Sequence, residues 1–524
     1  ANDAQGLAVT LKNAMLGSSP ISGIGTTFLP HGIANFLATS RATGVFNASI
    51  FASSPDSDSW QIKGDVHPES MSLVLDATPV TLEHITGAIE FSGDSGTLRD
   101  LHLAAPLWAA DIRGNWNRGG GNGINADATV MIAAPSLSPD LRACLPEPIR
   151  RVLSDLAVNI EGPVQTNNVA LLAGFTSGGD LASFKTSGSL SLRALSMDAG
   201  VKLSQTSAVI DFEAQRPNAS APPAFNVWAI ADSLRAADVA VTNAKLKVSS
   251  GEGGTIAVER FAGDCHGGRV SGDANFLAPT PNDLLGRRNF TANVQGSNLR
   301  FASILSDLQA ARKSEGAQIP DIEPDVTPDG SRGMVDFGIS LTGLTATPAS
   351  RRGRGTATIG GGRVASLPLV IPLVRMSNLQ LPVDERLDNA KADFFIQGPN
   401  IEFEQAWISS PGVQLIGYGS MQWPSAEIDM RVRARSRTRI PVVSSVMDSI
   451  RNELFTARVT GPIWEPNIGL ESFNDTSRLL NKIVGSTPSE ASQRLMRIEQ
   501  NADRVAGPAG IEPNPRVPAK DFNR

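Results

Sequence analysis

A period of two limits this chain more than any other feature. Val335, Phe337, Ile339 and Leu341 alternate with Asp336, Gly338, Ser340 and Thr342. Ala208, Ile210, Phe212 and Ala214 alternate with Val209, Asp211 and Glu213, and Ala244, Leu246 and Val248 with Lys245, Lys247 and Ser249. Successive side chains of a strand point to opposite faces, so this pattern specifies strands with one apolar and one polar side. The longest case starts at Ile428. Ile428, Met430, Val432 and Ala434, then Ser436, Thr438 and Ile440, take one face. Asp429, Arg431, Arg433, Arg435, Arg437 and Arg439 take the other. At about 3.3 Å per residue such a strand spans roughly 40 Å, a length that suits a wide sheet better than a compact sandwich.

Punctuation agrees with that reading. The 524 residues include 49 Gly and 34 Pro, a density that argues against helical bundles. Turns recur at Gly93-Asp94, Gly119 to Gly123, Gly251 to Gly254 and Gly360 to Gly362. No strand–helix–strand alternation appears, which disfavours a doubly wound parallel sheet. Three segments carry helical spacing instead: Pro146 to Leu156, Leu299 to Lys313 and Pro441 to Phe455. Thr487-Pro488-Ser489-Glu490 forms a capping box that opens a helix through about Asp503. The Pro-rich end beyond it reads as a disordered tail.

Composition then removes function classes. Lys+Arg is 46 against 52 Asp+Glu, so the basic excess of a nucleic-acid binder is missing and no nucleic-acid partner is expected. No run of about 18 apolar residues is present to span a membrane as a helix. Five histidines, His31, His67, His84, His102 and His266, show no ligand spacing, and Cys265-His266 would point to opposite faces of a strand. No GxSxG, phosphate-binding loop or dinucleotide fingerprint occurs. We expect no catalytic residues, no metal and no cofactor. Cys144 and Cys265 read as two buried thiols, with nothing that demands their pairing. The start at Ala1 reads as a processed chain or a fragment, with any anchor or export signal ahead of it.

Divergent repeats run through this pattern. FLPHGIANFL at 28–37 aligns without gaps to CLPEPIRRVL at 144–153. Leu98 with Gly114, Ile256 with Gly272 and Ile401 with Gly417 mark a recurring two-strand unit, with Ile112, Val270 and Leu415 at the equivalent apolar position. Repetition of this kind extends a protein along one axis.

GRGTATIGGGRVASLPLVIPLV at 353–374, NIEFEQAWISSPGVQLIGYGSMQW at 400–423 and VTGPIWEPNI at 459–468 resemble the C-terminal region of the AsmA-like envelope proteins. The LP-helix units at 29–37 and 145–153 resemble those of long members of that family. The resemblance implies a mostly β fold: an elongated, curved antiparallel β-sheet forming an open hydrophobic trough, with a few short helices, a C-terminal helix and a disordered tail. It implies repeated groove units over 1–332, the AsmA-like β region over 333–473, and a helical segment plus tail over 474–524. It also implies a non-enzymatic carrier of phospholipid between the inner and outer membranes of a diderm bacterium. Such a carrier would work in the periplasm, anchored to the inner membrane by a segment outside this chain.

The physics of that expectation is simple. Exposing an acyl CH₂ to water costs about 0.8 kcal/mol, so a tail of about 16 carbons costs on the order of 12 kcal/mol to carry bare. An apolar face that shields the tail removes most of that barrier. Val335, Phe337, Ile339, Leu341, Ile428, Met430 and Val432 are the expected groove contacts. Arg431, Arg433, Arg435, Arg437 and Arg439 read first as a solvated strand face, and alternatively as headgroup contacts at an anionic membrane beside Arg351, Arg352 and Arg354. The same alternation also fits a sandwich closed on itself. A β-rich structural or adhesive envelope protein that binds proteins or glycans is therefore the alternative function.

Overall fold

The computed structural model describes residues 5–16, 43–56, 59–74, 81–82, 84–119, 123–145, 150, 153–176, 181–198, 202–279, 287–314, 316, 333–361, 389–411, 413–423, 425–436, 456–463, 466–470, 493–495, 497–498 and 500–501. The fold is mostly β and antiparallel, with a few short helices. Two compact units divide it. Unit 1 comprises Ala1–Cys265, Ser271–Ala292 and Gly343–Thr347; unit 2 comprises His266–Val270, Asn293–Thr342 and Pro348–Arg524.

Unit 1 carries β1 (Gln5–Leu16), β2 (Thr43–Asp56), β3 (Ser59–Val74), β4 (Thr81–Leu82), β5 (His84–Ser92), β6 (Ser95–Ala105), β7 (Trp108–Arg118) and β8 (Ile124–Ala134). It continues with β9 (Asn159–Ile160), β10 (Val164–Phe175), β11 (Leu181–Asp198), β12 (Lys202–Arg216), β13 (Ala224–Ala236), β14 (Val239–Ser250) and β15 (Ile256–Cys265). Each long strand is antiparallel to the next long strand along the chain, while β4 pairs beside β3 and β9 beside β11. Among the described residues, no pairing closes this meander on itself. Leu98 and Gly114, expected in one two-strand unit, are direct cross-strand partners.

Bulges interrupt the ladders again and again. The register slips beside Asn13, Asp100, Asn168, Ala194, Gln205 and Asn243, and each of these residues has a positive φ of 46° to 52°. A bulge bends its strand and raises the local twist. The orphaned backbone donors find side-chain acceptors: Asn13 N donates to Asn47 Oδ1 at 2.8 Å, and Ile132 N to Thr166 Oγ1 at 2.7 Å. Asn and Asp tolerate the left-handed region best, which accounts for four of the six positions.

β16 (Gly268–Phe276) and β17 (Asn289–Arg300) lead toward β18 (Met334–Leu344). Unit 2 then carries β19 (Thr347–Gly360), β20 (Asn389–Gln397), β21 (Asn400–Ser409), β22 (Val413–Gln422), β23 (Glu427–Ser436), β24 (Thr456–Pro462) and β25 (Asn467–Leu470), each antiparallel to the next from β19 onward. The strand expected from Ile428 to Ile440 is β23, described as far as Ser436. Residues 437–440 lie outside the described residues.

Two helices have complete bounds. α1 (Pro139–Cys144) was not anticipated, although Ser138 caps it with Pro139 in the first turn; Leu141 N donates to Ser138 Oγ at 3.2 Å. α2 (Phe301–Ser314) is the helix expected over 299–313, shifted because Leu299 and Arg300 finish β17. The helix expected over 146–156 is described at 150 and 153–155, and the C-terminal helix at 493–495, 497–498 and 500–501. The segments 28–37 and 441–455, the capping box and the tail lie outside the described residues. Neither cysteine forms a disulfide. Cys265 is buried as expected, but Cys144 is exposed: it ends α1, whose buried residue is Leu141.

A buried clip holds part of unit 1. Arg288 Nε lies 3.0 Å from Asp155 Oδ2, and the side chains are 6% and 4% exposed. Arg288 also donates to the Gly254 carbonyl at 2.8 Å, and its amide donates to Thr345 Oγ1 at 3.0 Å. Thr345 N returns a bond to the Arg288 carbonyl at 2.9 Å.

Candidate functional site: an apolar face carried from strand to strand

In unit 1 the register aligns apolar residues into rows that cross the strands. One row reads Leu11, Ala48, Val66, Ile89, Leu98, Gly114, Ala128, Leu171, Thr186, Ala214 and Phe225, each opposite the next from β1 to β13. The neighbouring row on the same face reads Val9, Ile50, Gly64, Phe91, Gly96, Trp116, Ala126, Ala173 and Phe184, then Arg216. Farther along, Leu190, Ile210, Ala229, Leu246 and Phe261 form a third. Period-two alternation in each strand, held in register by the ladders, therefore makes one continuous apolar surface.

Glycines keep that surface low. A β-carbon at Gly64 would stand 2.8 Å from Phe91 Cζ, and one at Gly96 would run into the Trp116 indole. Each ring lies over a glycine of the adjacent strand, which covers exposed backbone with aromatic area. The same device recurs in unit 2, where Phe337 covers Gly296 and Phe394 covers Gly355.

This face is covered unevenly in unit 1: Ala48, Ile50, Phe91, Ala128, Ala173 and Phe184 are buried. Val66, Ile89, Leu98, Trp116, Leu171, Ile210, Leu246 and Phe261 are half-buried. One end is closed. There Leu141 of α1 and Leu82 of β4 pack with Met71, Ile85, Leu101, Trp108, Ala110 and Ala134. Trp108 Nε1 is buried there with no hydrogen-bond partner. The opposite face carries ion pairs, including Arg99 with Glu90 at 3.0 Å and His102 with Asp111 at 2.8 Å, beside the exposed apolar side chains Phe51, Leu172, Val209, Trp228 and Ile230. Glu259 is held below the usual carboxylate range by hydrogen bonds from Lys247 and Ser249.

Unit 2 repeats the rows more densely. Gly355, Phe394, Phe403, Gly419, Met430, Val459 and Ile468 lie in one line across β19 to β25. Ala357, Ala392, Ala406, Gly417, Val432, Ala457 and Leu470 form the next, and Gly353, Ile396, Ile401, Met421, Ile428 and Gly461 a third. Leu341 Cδ1 lies 3.0 Å from where a β-carbon of Gly353 would stand. That contact places the β18 set of Val335, Phe337, Ile339 and Leu341 on the same face as Ile428, Met430 and Val432. The structure thus brings together all seven residues expected to line a groove.

It does not leave them all open. Ile428, Met430 and Val432 are buried in one cluster with Ala390, Leu415, Ala457 and Val459, and Val459 is 0% exposed. Val335 and Leu341 are buried too, while Phe337 and Ile339 are half-buried. Phe301, at the head of α2, packs on the cluster. α2 is pinned in turn by His266 Nε2, 2.7 Å from Asp307 Oδ2.

The arginines occupy the other face. Arg431 and Arg433 are half-buried and have partners of their own. Arg431 faces Tyr418 on β22 and Arg458 on β24. Arg458 bonds both Asp429 oxygens, at 3.0 and 2.7 Å, and those bonds hold the Asp429 carboxyl below its usual range. Arg435 lies in β23 opposite Gln414; Arg437 and Arg439 lie outside the described residues. Arg354 bonds Glu404 at 2.7 Å and stacks 4.8 Å over Phe395. The C-terminal helix sits on this face: Leu495 and Ile498 cluster with Trp407 and Ile416, and Arg494 lies 4.5 Å over the Tyr418 ring.

Asp393 shows the balance of effects on such a face. Burial pushes its carboxyl up, but hydrogen bonds from Gln405, Thr356 and Lys391 outweigh that and hold it below the usual range. Among the described residues no group of three or more His, Cys, Asp or Glu is placed to hold a metal. Sequence reasoning missed the Arg288–Asp155 clip and the inward-facing Arg216, because neither follows from spacing along one strand. No family model, curated protein or solved structure matches the chain.

Proposed function

We propose that the chain is a non-enzymatic lipid-binding protein that shields acyl chains on the apolar face of its sheet. We further propose that it moves phospholipid between the membranes of a bacterial envelope, in the manner of the AsmA-like proteins that residues 353–468 resemble. The periplasm is the compartment that goes with that role. The observation that carries the reading is the uncharged row from Leu11 to Phe225, in which Ala48, Ala128 and Thr186 are buried but Leu11, Val66, Ile89, Leu98, Leu171 and Phe225 are only half-buried. A filled sandwich buries such a row, whereas a surface built for a removable apolar ligand leaves it within reach of one. Along β7, Ile112 to Trp116 spans about 13 Å at about 3.3 Å per residue. One leaflet of hydrocarbon is about 15 Å deep, so that length covers most of a single tail.

Native mass spectrometry of protein extracted from membranes tests this directly. Phospholipid adducts are expected, together with uptake of fluorescent lipid from vesicles. Leu98→Glu and Ile89→Glu should each cut uptake several-fold, because a carboxylate in that row repels a tail. Lipid-free spectra combined with absent uptake would sink the proposal.

A second reading has one observation in its favour. The cluster around Val459 is an ordinary sealed core, as a structural or adhesive β-rich protein requires. That reading expects no lipid uptake by any part of the chain.

A further inference from the structure

On the face of unit 1 opposite the apolar rows, Val209, Trp228 and Ile230 are 50%, 40% and 55% exposed. Val209 lies directly opposite Ile230, and Trp228 stands two residues before Ile230 on the same side of β13. The three therefore form one contiguous patch. On β11 its neighbours are Ser189 and Ser191, whose side chains are too short to cover it. Unit 2 treats an outward tryptophan differently. Trp407, opposite Ile416, is 2% exposed, because Leu495 and Ile498 of the C-terminal helix pack on the pair. Among the described residues nothing gives Trp228 an equivalent roof. A contiguous exposed apolar patch marks an interaction surface, and tryptophan is prominent among the anchors of such surfaces.

The charges beside the patch indicate what fits it. Trp228 lies between Asp211 on β12 and Lys247 on β14. Glu213 extends the acidic flank along β12. Lys245 and Arg260 extend the basic flank, and Glu259, bonded to Lys247 at 2.5 Å, offsets part of it. Acid on one flank and base on the other is self-complementary. When two copies stack these faces about a two-fold axis parallel to β13, each Trp228 and each Ile230 meets its counterpart. Each Asp211 then comes over the Lys247 of the second copy. An axis across the strands would instead set acid against acid and base against base. Aligned sheets stack about 10 Å apart, within reach of both the apolar and the charged contacts.

We propose that the outward face around Trp228 is a homodimer interface that joins two copies back to back through β12, β13 and β14. It is independent of the lipid-binding reading, because it uses the opposite face of the sheet and leaves the apolar rows untouched.

Analytical ultracentrifugation of the full chain tests it. The unaltered chain should sediment as a dimer at micromolar concentration. Trp228→Ser should weaken association about 30-fold, the loss of an interface anchor. Asp211→Lys should weaken it about tenfold or more, because like charges then face each other across the interface. Adding Lys247→Glu to Asp211→Lys should restore most of that loss. Within one chain the strand bearing Trp228 separates positions 211 and 247, so the rescue reports contact between copies. Leu172→Ser, at an exposed leucine elsewhere on the same face, should change nothing. Circular dichroism checks the fold of each variant. A monomer at every concentration overturns the proposal, as does a dimer that survives Trp228→Ser or that Leu172→Ser weakens equally. Absence of rescue by Lys247→Glu overturns the two-fold arrangement and the proposal with it. A monomer that floats with anionic vesicles only while Trp228 is present would make the face a membrane contact, and the homodimer would be excluded.

Discussion

The two units hold the same kind of surface in different conditions. In unit 1, Val66, Ile89, Leu98 and Leu171 lie half-buried in a line of apolar residues. In unit 2, Met430 and Val459 lie in an equivalent line, 7% and 0% exposed, under side chains that include Phe301 of α2. Period, register and the use of glycine beneath aromatic rings are alike in both. What differs is the degree of cover: Ile50, Phe91 and Phe184 of unit 1 are buried as well, while the row through Ile89 and Leu98 beside them is not. An apolar strand face is therefore not yet a core or a groove; it becomes one or the other according to what packs on it.

The largest expected effect probes what the buried clip adds to unit 1 beside its packed cluster around Trp108. Arg288→Ala should cost about 3–5 kcal/mol, because it breaks an ion pair whose side chains are 6% and 4% exposed. Urea unfolding measures it, and the double variant Arg288→Met with Asp155→Leu should recover much of the loss. A small loss for Arg288→Ala would mean that the clip is incidental and that unit 1 rests on its apolar face after all.

The next effect tests the contrast itself. Ile428→Ala, in the sealed cluster, should cost about 2–5 kcal/mol through lost burial and a residual cavity. Ile89→Ala, half-buried in unit 1, should cost about 1 kcal/mol, since part of its surface already meets water. Equal losses by chemical denaturation would erase the distinction between the two faces.

The smallest effect is on acid stability. Asp393 has a folded pKa below its unfolded value of about 3.9. Its stabilisation is therefore complete above that value and disappears as pH falls through the folded pKa. Asp393→Asn should flatten the decline in thermal stability between about pH 5 and pH 2, by less than about 1 kcal/mol. An unchanged slope would show that its hydrogen bonds with Gln405 and Lys391 do no more than solvent would.

Much of the fold is legible in residue order. The alternation at 335–342, 208–214, 244–248 and 428–434 falls in β18, β12, β14 and β23, and the helix expected after residue 299 is α2. Leu98 and Gly114 were readable as one two-strand unit because a hairpin is local. The bulges at Ala194 and Gln205 were not, because a left-handed residue flanked by good strand formers leaves no compositional mark. For the site, the seven expected groove residues do share a face. The burial of Ile428, Met430 and Val432 was invisible because Phe301, which packs on their cluster, lies more than a hundred residues away in the chain. The arginine face was legible as charge. The C-terminal helix docked beside it was not, since Leu495 and Ile498 carry no signal that Trp407 and Ile416 are their partners.

By itself, then, the order of residues settled strand identity, the two-sidedness of each strand and the neighbours joined by short turns. These depend on backbone geometry within a few residues. Tertiary structure decided which apolar stretches are roofed, where Arg288 meets Asp155, and that Arg216 turns inward at the end of a row. Those outcomes come from register summed over many strands and from contacts between distant segments, and neither is written in any local pattern.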